Sequence, residues 1–334
     1  MSKPLHRPPN DLWAITTYFN PCGYRNRYRN YGTFFERLQV PLLTVELAYG
    51  VAFELTSADA DKLIQLRSDQ VMWQKERLIN LALPSLPAEC RKVVWLDCDL
   101  IFERDDWARL ASQALDDYVM VQPFRRVYDL KRDADLAQPP EDQSCLVRES
   151  MAAWYLSGAS SSEVAPDSPG ITQKHGLPRA YSVGHAWAMR REALEQVGLY
   201  DALVLGGGDY AVTQAATGAF ESVIRDFHFN TYQARHYLDW AEGFHRAVGG
   251  NFALTSGDIY HLWHGQLADR RYVPRHSILP GFDFDPYRDI AIDGNGGWRW
   301  NSDKPELHEA VRQYFQGRRE DGGNGEQALA NLSR

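Results

Sequence analysis

Three short stretches of this chain hold acidic and imidazole side chains that could do chemistry together. In VVWLDCDLIF, residues 93–102, Asp97 and Asp99 interrupt an apolar run that reads as a buried strand. Side chains alternate along a strand, so the two carboxylates fall on one face. A buried carboxylate without a partner is costly, and two converging ones suit a divalent cation that offsets their repulsion. The plainer alternative is a strand end at which both acids reach solvent or cap the next helix. In HLWHG, His261 and His264 are either core histidines with satisfied ring nitrogens or the further ligands that a cation held by two carboxylates needs. In GGGD, residues 206–209, a glycine run ends in Asp209 at the start of a helical pattern. Asp209 is there an N-cap, or a base for a hydroxyl proton beside a backbone that a ligand can approach closely.

Arginines supply the complementary charge. PCGYRNR, from Pro21 to Arg27, follows the first apolar run. Arg25 and Arg27 at a strand–helix junction suit phosphate, because guanidinium forks match phosphate oxygens; a solvated basic helix start explains them equally well. The chain has neither G-x-G-x-x-G nor a GKS/GKT loop, which argues against dinucleotide enzymes and P-loop NTPases.

The elements that must position these residues alternate. Strands are expected at 12–19, 42–50, 93–102 and 118–123, and helices at 33–38, 58–83 (ended by Pro84 and Pro87), 105–115, 190–197 and from Asp209 to about 218. That order predicts an α/β fold with a mixed, mostly parallel sheet covered by helices on both faces, in a single large domain. Ligands of such sheets sit beyond the carboxyl ends of the strands, where Asp97 and Asp99 fall. Residues 155–180, rich in Ser, Gly and Pro, read as a functional or disordered loop. The tail from Gln316, with GRREDGGNGEQ, reads as disordered.

Composition narrows the class. A net charge of −8 is the wrong sign for a protein whose affinity comes from phosphate backbones. No apolar run reaches the roughly 18–20 residues of a membrane span, and residues 1–10 lack the apolar core of a signal peptide. Cys22, Cys90, Cys98 and Cys145 form no CxxC pair, so neither a disulfide framework nor a zinc site is indicated. A reducing, cytoplasmic setting is the expectation.

Taken in order, these stretches resemble the nucleotide-sugar glycosyltransferases of the GT-A fold, and most nearly the β-1,4-galactosyltransferase family and its bacterial and phage relatives. PCGYRNR resembles that family's P-F-R-N-R loop. MWQKERLINLAL followed by VVWLDCDLIFERDD is similar to its F-N-R-x-x-L-L-N helix leading into a D-V-D-L-I metal strand. GHAWAMRREALEQVGLYDALVLGGGDYAV is similar to its G-x-x-x-A-M…G-G-E-D segment, and HLWHG stands where the family places a metal-binding histidine. The likeness runs from about residue 13 to 275. It implies a GT-A domain over 1–315, with a nucleotide-binding half at about 11–125 and an acceptor half at about 180–300.

The resemblance also implies roles. Asp99 and His264 would ligate Mn2+ or Mg2+, with Asp97 beside them; the family's methionine ligand has no clear match, although His261 occupies the same neighbourhood. Pro21, Arg25, Arg27, Glu46, Lys75, Arg77 and Asp97 would line the nucleotide-sugar site. Gly207, Gly208 and Trp263 would face the acceptor, and Asp209 would be the base. GGGD lacks the glutamate of G-G-E-D, so acceptor recognition does not carry over. The implied reaction moves a sugar from a UDP-sugar to a hydroxyl, saccharide more than DNA, with inversion, under a lid formed by residues 156–170. One rival acceptor is a hydroxymethylated DNA base, served by Tyr232, Arg235, Trp263, Arg270, Arg271, Tyr272, Trp298 and Trp300. A rival of another class is a non-catalytic nucleotide- or carbohydrate-binding protein. A nucleotidyltransferase is a third, weakened by the single Gly23 in the first loop.

Overall fold

The computed structural model describes residues 11–158 and 181–322. LWAITTYF forms β1 (Leu12–Phe19), followed by α1 (Arg25–Arg37), β2 (Leu42–Ala48), β3 (Lys62–Arg67), α2 (Lys75–Ala82) and β4 (Lys92–Leu96). β5 (Leu100–Phe102), α3 (Trp107–Asp117), β6 (Met120–Gln122), β7 (Arg126–Leu130), β8 (Ser144–Glu149) and β9 (Ala186–Arg190) come next. The second half holds α4 (Gly208–Thr217), α5 (Thr231–Val248), β10 (Phe252–Leu254), β11 (Asp258–His261), the hairpin β12 (Ile290–Ile292) and β13 (Trp298–Trp300), and α6 (Pro305–Gly317). No helix among the described residues is long and apolar enough to cross a membrane.

Seven strands make the main sheet in the order β10-β6-β9-β4-β1-β2-β3. β9 is antiparallel to both β4 and β6, and the other pairings are parallel. The expected mixed, mostly parallel sheet flanked by helices is therefore present. Alternation along β4 explains why both faces are apolar. Val93 and Trp95 enter the core cluster under α2 and α4, while Val94 and Leu96 enter a second cluster with Tyr31, Phe34 and Trp107. A four-stranded sheet, β5-β11-β7-β8, is added at the carboxyl end of β4.

Four expectations about elements change. The pattern read as one helix over 58–83 contains β3, an edge strand paired with β2, before α2 begins at Lys75. KLIQLR alternates, and pairing with a buried neighbour outweighs its helix-compatible composition. VVWLDCDLIF is two strands belonging to two sheets, with Asp97, Cys98 and Asp99 in the turn between them. The two acids are thus not alternating strand residues. α1 begins at Arg25, so PCGYRNR runs into a helix of 13 residues. In the tail, Gln316 and Gly317 finish α6, and Arg318 and Glu320 are buried. Residues 323–334, and 159–170 of the expected lid, lie outside the described residues.

Glu46, expected near a nucleoside, is a structural fastener in β2. It is 1% exposed and accepts hydrogen bonds from the backbone N–H of Glu54 (2.6 Å) and Leu55 (3.3 Å) and from Gln65 Nε2 (2.8 Å). Removing the acceptor strands buried donors, each worth about 1–3 kcal/mol. Glu46→Ala is expected to lower unfolding free energy in urea by at least about 1–3 kcal/mol. Full stability in that variant would overturn the fastening role.

Candidate functional site

A cleft of about 600 Å³ opens beyond the carboxyl ends of β1 and β4. Because β9 runs antiparallel to β4, its first residue lies at that same edge, and the Asp97 N–H donates to the carbonyl of His185 at 2.8 Å. β11 runs antiparallel to β5 with His261 opposite Leu100, and the Leu262 N–H reaches the Asp99 carbonyl at 2.9 Å. That pairing brings His261 beside Asp99, more than a hundred positions away in the chain. His264 follows in the loop after β11. Its neighbour Gly265, at φ +92°, lets the backbone of Arg318 and Arg319 pass within about 3 Å of where a Cβ would stand.

Asp99, His261 and His264 make one cluster. His264 Nε2 lies 3.1 Å from Asp99 Oδ2, His261 Nε2 lies 3.7 Å from Asp99 Oδ1, and the two imidazole Nε2 atoms are 3.0 Å apart. Their three ligand atoms fall within 4.8 Å of one another, and Asp99 Oδ1 is buried with no hydrogen-bond partner. One carboxylate and two imidazoles around an orphaned oxygen fit a divalent cation. Burial alone would raise the Asp99 pKa, but His264, His261 and Arg270 hold it well below the usual carboxylate range. His261 is lowered by burial and then lifted to about 9 by Asp99 and by its hydrogen bond to Asp129. His264 is pushed down to about 3 by burial and by Arg270, against the pull of Asp99.

The cluster is braced from behind. Asp129 sits opposite His261 in the β7–β11 register, accepts from its Nδ1 at 2.6 Å, and accepts from Arg148 of β8 at 2.8 Å. This leaves His261 Nε2 aimed at Asp99. His185 closes the side: its ring centroid is 4.7 Å from that of His261, and burial, then His261 and Arg148, lower its pKa well below the usual value.

Asp97 belongs to a different group. Lys75, the first residue of α2 and 4% exposed, places Nζ 2.6 Å from Asp97 Oδ1 and 3.0–3.1 Å from both oxygens of Asp209. Asp209 lies in the first turn of α4, whose N-cap is Gly207 at φ +107° and not the aspartate. The Lys75 pKa would fall with burial, yet Asp209 and Asp97 lift it above the usual lysine value. The Asp97 carboxyl is raised by burial and by Asp209 and Asp99, against the lowering by Lys75.

Of the expected site residues, the cleft gathers Arg27, Lys75, Asp97, Asp99, Gly207, Asp209, His261 and His264. It does not gather the others. Arg25 is exposed beside Asp321, Pro21 and Glu46 are buried elsewhere, and Arg77 donates to the Gly296 carbonyl at 2.6 Å and leans on Asp201. Gly208 packs against Glu76, and Trp263 lies under Arg132. Sequence reasoning missed Asp129, Arg148, His185, Arg275, Arg318 and Glu320. Arg270 and Tyr272 stood out only as nucleic-acid contacts.

Glu76 adds a titration the sequence did not suggest. Burial pushes its pKa from 4.5 up to about 8, helped by Asp209 and opposed by Lys75. The folded protein therefore holds a proton that the unfolded chain releases between pH 4.5 and about 8. That share of stability is complete below pH 4.5 and is lost as pH rises to about 8. Glu76→Gln is expected to abolish this loss, gaining on the order of a few kcal/mol over wild type at pH 8 but not at pH 4.5. Thermal melts of both proteins across that range check it; parallel pH curves would refute a neutral buried Glu76.

Neither a protein-family model nor a curated protein sequence matches the chain. Likeness to solved structures extends over most of its length. Three of these are TarS 1–349 of S. aureus in complex with UDP-GlcNAc (8% identity, TM-score 0.39, 92% of this chain and 72% of that one); a mannosyltransferase from Pyrobaculum calidifontis in complex with GDP-Man and Mn2+ (14%, 0.37, 99% and 74%); and glucosyl-3-phosphoglycerate synthase from Mycobacterium tuberculosis in complex with Mn2+, UDP and glucosyl-3-phosphoglycerate (10%, 0.35, 94% and 81%). TM-scores of this size leave donor, acceptor and site residues to the geometry of the cleft itself.

Proposed function

We propose that this chain is a metal-dependent glycosyltransferase that moves a sugar from a UDP-sugar to a hydroxyl of a saccharide or related acceptor. The observation that carries the reading is that the Asp99–His261–His264 cluster and the Lys75–Asp97–Asp209 group open on one cleft. Asp99, His261 and His264 would hold the cation; two imidazoles favour Mn2+ over Mg2+, which prefers an all-oxygen octahedron. Bound there, a divalent cation offsets negative charge developing on a departing diphosphate.

The remaining work falls to side chains of this chain. Arg270, 2.6 Å from His264, and Arg27, held by Glu320, supply guanidiniums to diphosphate oxygens. Lys75 fixes Asp97 and Asp209 at a separation set by its own ammonium, and Asp97 faces the donor sugar or ribose. Asp209 accepts the proton of the acceptor hydroxyl at a carboxylate oxygen, which makes the transfer a direct displacement with inversion. On this reading the donor site draws on both expected halves, with Arg27, Lys75, Asp97 and Asp99 from about 11–125 and His261, His264 and Arg270 from about 180–300.

The test is UDP release from a panel of UDP-sugars with Mn2+, against EDTA. Asp209→Asn is expected to lower turnover by about a hundred- to ten-thousand-fold while UDP still binds. Asp99→Ala is expected to lose both Mn2+ affinity and turnover. Full metal-dependent turnover in Asp99→Ala would sink the scheme, and UDP binding without turnover of any donor would favour the non-catalytic binding protein.

A further inference from the structure

One wall of the cleft carries more positive charge than its acids balance. Arg27 and Arg318 both lean on Glu320, at 2.7 Å each. Arg270 and Arg275 are each 7% exposed, and among the described residues no carboxylate lies within 4.0 Å of either guanidinium. Their hydrogen-bond partners among the described residues are phenols and imidazoles. Arg270 donates to Tyr272 Oη (3.0 Å) and His264 Nε2 (2.6 Å), and its Nε has no partner. Arg275 donates to Tyr314 Oη (2.7 Å) and His276 Nε2 (3.3 Å). Among the described residues, Glu320 is thus the one carboxylate in direct contact with any of these four guanidiniums. A buried charge left without a counter-ion costs several kcal/mol, and a chain that keeps two of them beside an open cleft is built for an incoming anion.

Arg270 and Arg275 flank Tyr272: Arg270 donates to its Oη at 3.0 Å, and the Arg275 guanidinium lies 5.1 Å from its ring centroid. Arg270 touches the metal-ligand cluster through His264, where a donor diphosphate would lie. Arg275 is beside His276, whose ring stacks on Phe227 at 3.6 Å and 8°. Both rings press on Gly207, 3.0 and 2.8 Å from where its Cβ would stand, two residues before Asp209. Arg275, in the turn at 274–277, is linked through His276 to the glycine run before the proposed base. Burial would raise the Tyr314 phenol, but Arg275 and Arg318 outweigh it and lower its pKa, which marks its surroundings as strongly positive. A diphosphate bound with its divalent cation is close to neutral and leaves that surplus largely unmet.

We propose that Arg275, with His276 and the Arg318–Tyr314 pair beside it, forms a second anion subsite for a phosphate group carried by the hydroxyl acceptor. The inference rests on the reading above for the first ligand, for the hydroxyl acceptor and for Asp209 as its base. It makes the acceptor a phosphate-bearing small molecule, its hydroxyl directed at Asp209 by the guanidinium fork of Arg275.

Inorganic phosphate titrated calorimetrically into the full chain, saturated with UDP and Mn2+, tests the subsite. Phosphate is expected to bind saturably on top of UDP. Arg275→Met is expected to weaken phosphate by at least about tenfold, the equivalent of one lost charge-assisted contact, leave UDP affinity unchanged, and keep or raise the ligand-free melting temperature; Arg275→Lys is expected to fall between. Phosphate that competes with UDP, or an Arg275→Met protein that loses both ligands together, would assign Arg275 to the donor and overturn the subsite. A lower melting temperature with unchanged phosphate binding would make Arg275 a support for Tyr314 and overturn it as well. If UDP fails to bind, the donor reading falls, and phosphate binding to the UDP-free chain with and without Arg275 still decides the subsite. A single-stranded oligonucleotide that binds through Arg275 where phosphate does not would replace the small acceptor with nucleic acid.

Discussion

The ammonium of Lys75 is the contact on which the cleft depends. It is buried, yet it sits between carboxylates delivered by the turn after β4 and by the first turn of α4. Without it, Asp97 and Asp209 would face each other across a poorly hydrated space and repel. With it, three separate elements are tied at the edge of the main sheet: α2, the 97–99 turn and the glycine run. The tie explains the glycines. Glu76, the next residue of α2, is driven against Gly208, where a Cβ would stand 2.2 Å from its carboxylate oxygen. Only a residue without a side chain lets α4 start there.

From that point charges alternate outward through the protein. Asp99 faces two imidazoles, His261 is held by Asp129, and Asp129 is held by Arg148. On the other side Arg27 meets Glu320 and Glu320 meets Arg318. Each buried charge has a neighbour of opposite sign, which is what makes a polar cluster tolerable at low dielectric. The pattern breaks at Arg270 and Arg275, and it breaks on the surface of the cleft. Preorganised charge of one sign in a partly dry site is the arrangement that stabilises an incoming anion most.

Much of this was legible in the chain. The run LWAITTYF declared β1 because eight mostly apolar residues with turn signals after them suit a buried strand. D-x-D, GGGD and HLWHG were visible because their residue types are expensive where the apolar pattern puts them. Asp97 and Asp99 were less well described, since alternation placed them on one face of one strand. They stand instead in a turn between two sheets, and each takes a different partner. Asp129 and Arg148 gave no local signal: an aspartate and an arginine in short exposed-looking strands are unremarkable until the β7–β11 register sets one beside His261. Glu320 sat in a polar segment whose composition argued for disorder, and only its two arginine partners make its burial affordable.

The amino-acid sequence by itself determined the alternating α/β plan, the edge of the sheet where the cleft opens and the residue types available there, because hydrophobic period and the cost of buried charge are local properties. Which acid meets which base was decided only in three dimensions. Asp99 meets His261 because β5 and β11 pair antiparallel, and Asp97 meets Asp209 through Lys75 because α2 and α4 start at the same edge. Such pairings join residues more than a hundred positions apart. No spacing in the chain encodes them; the strand registers do.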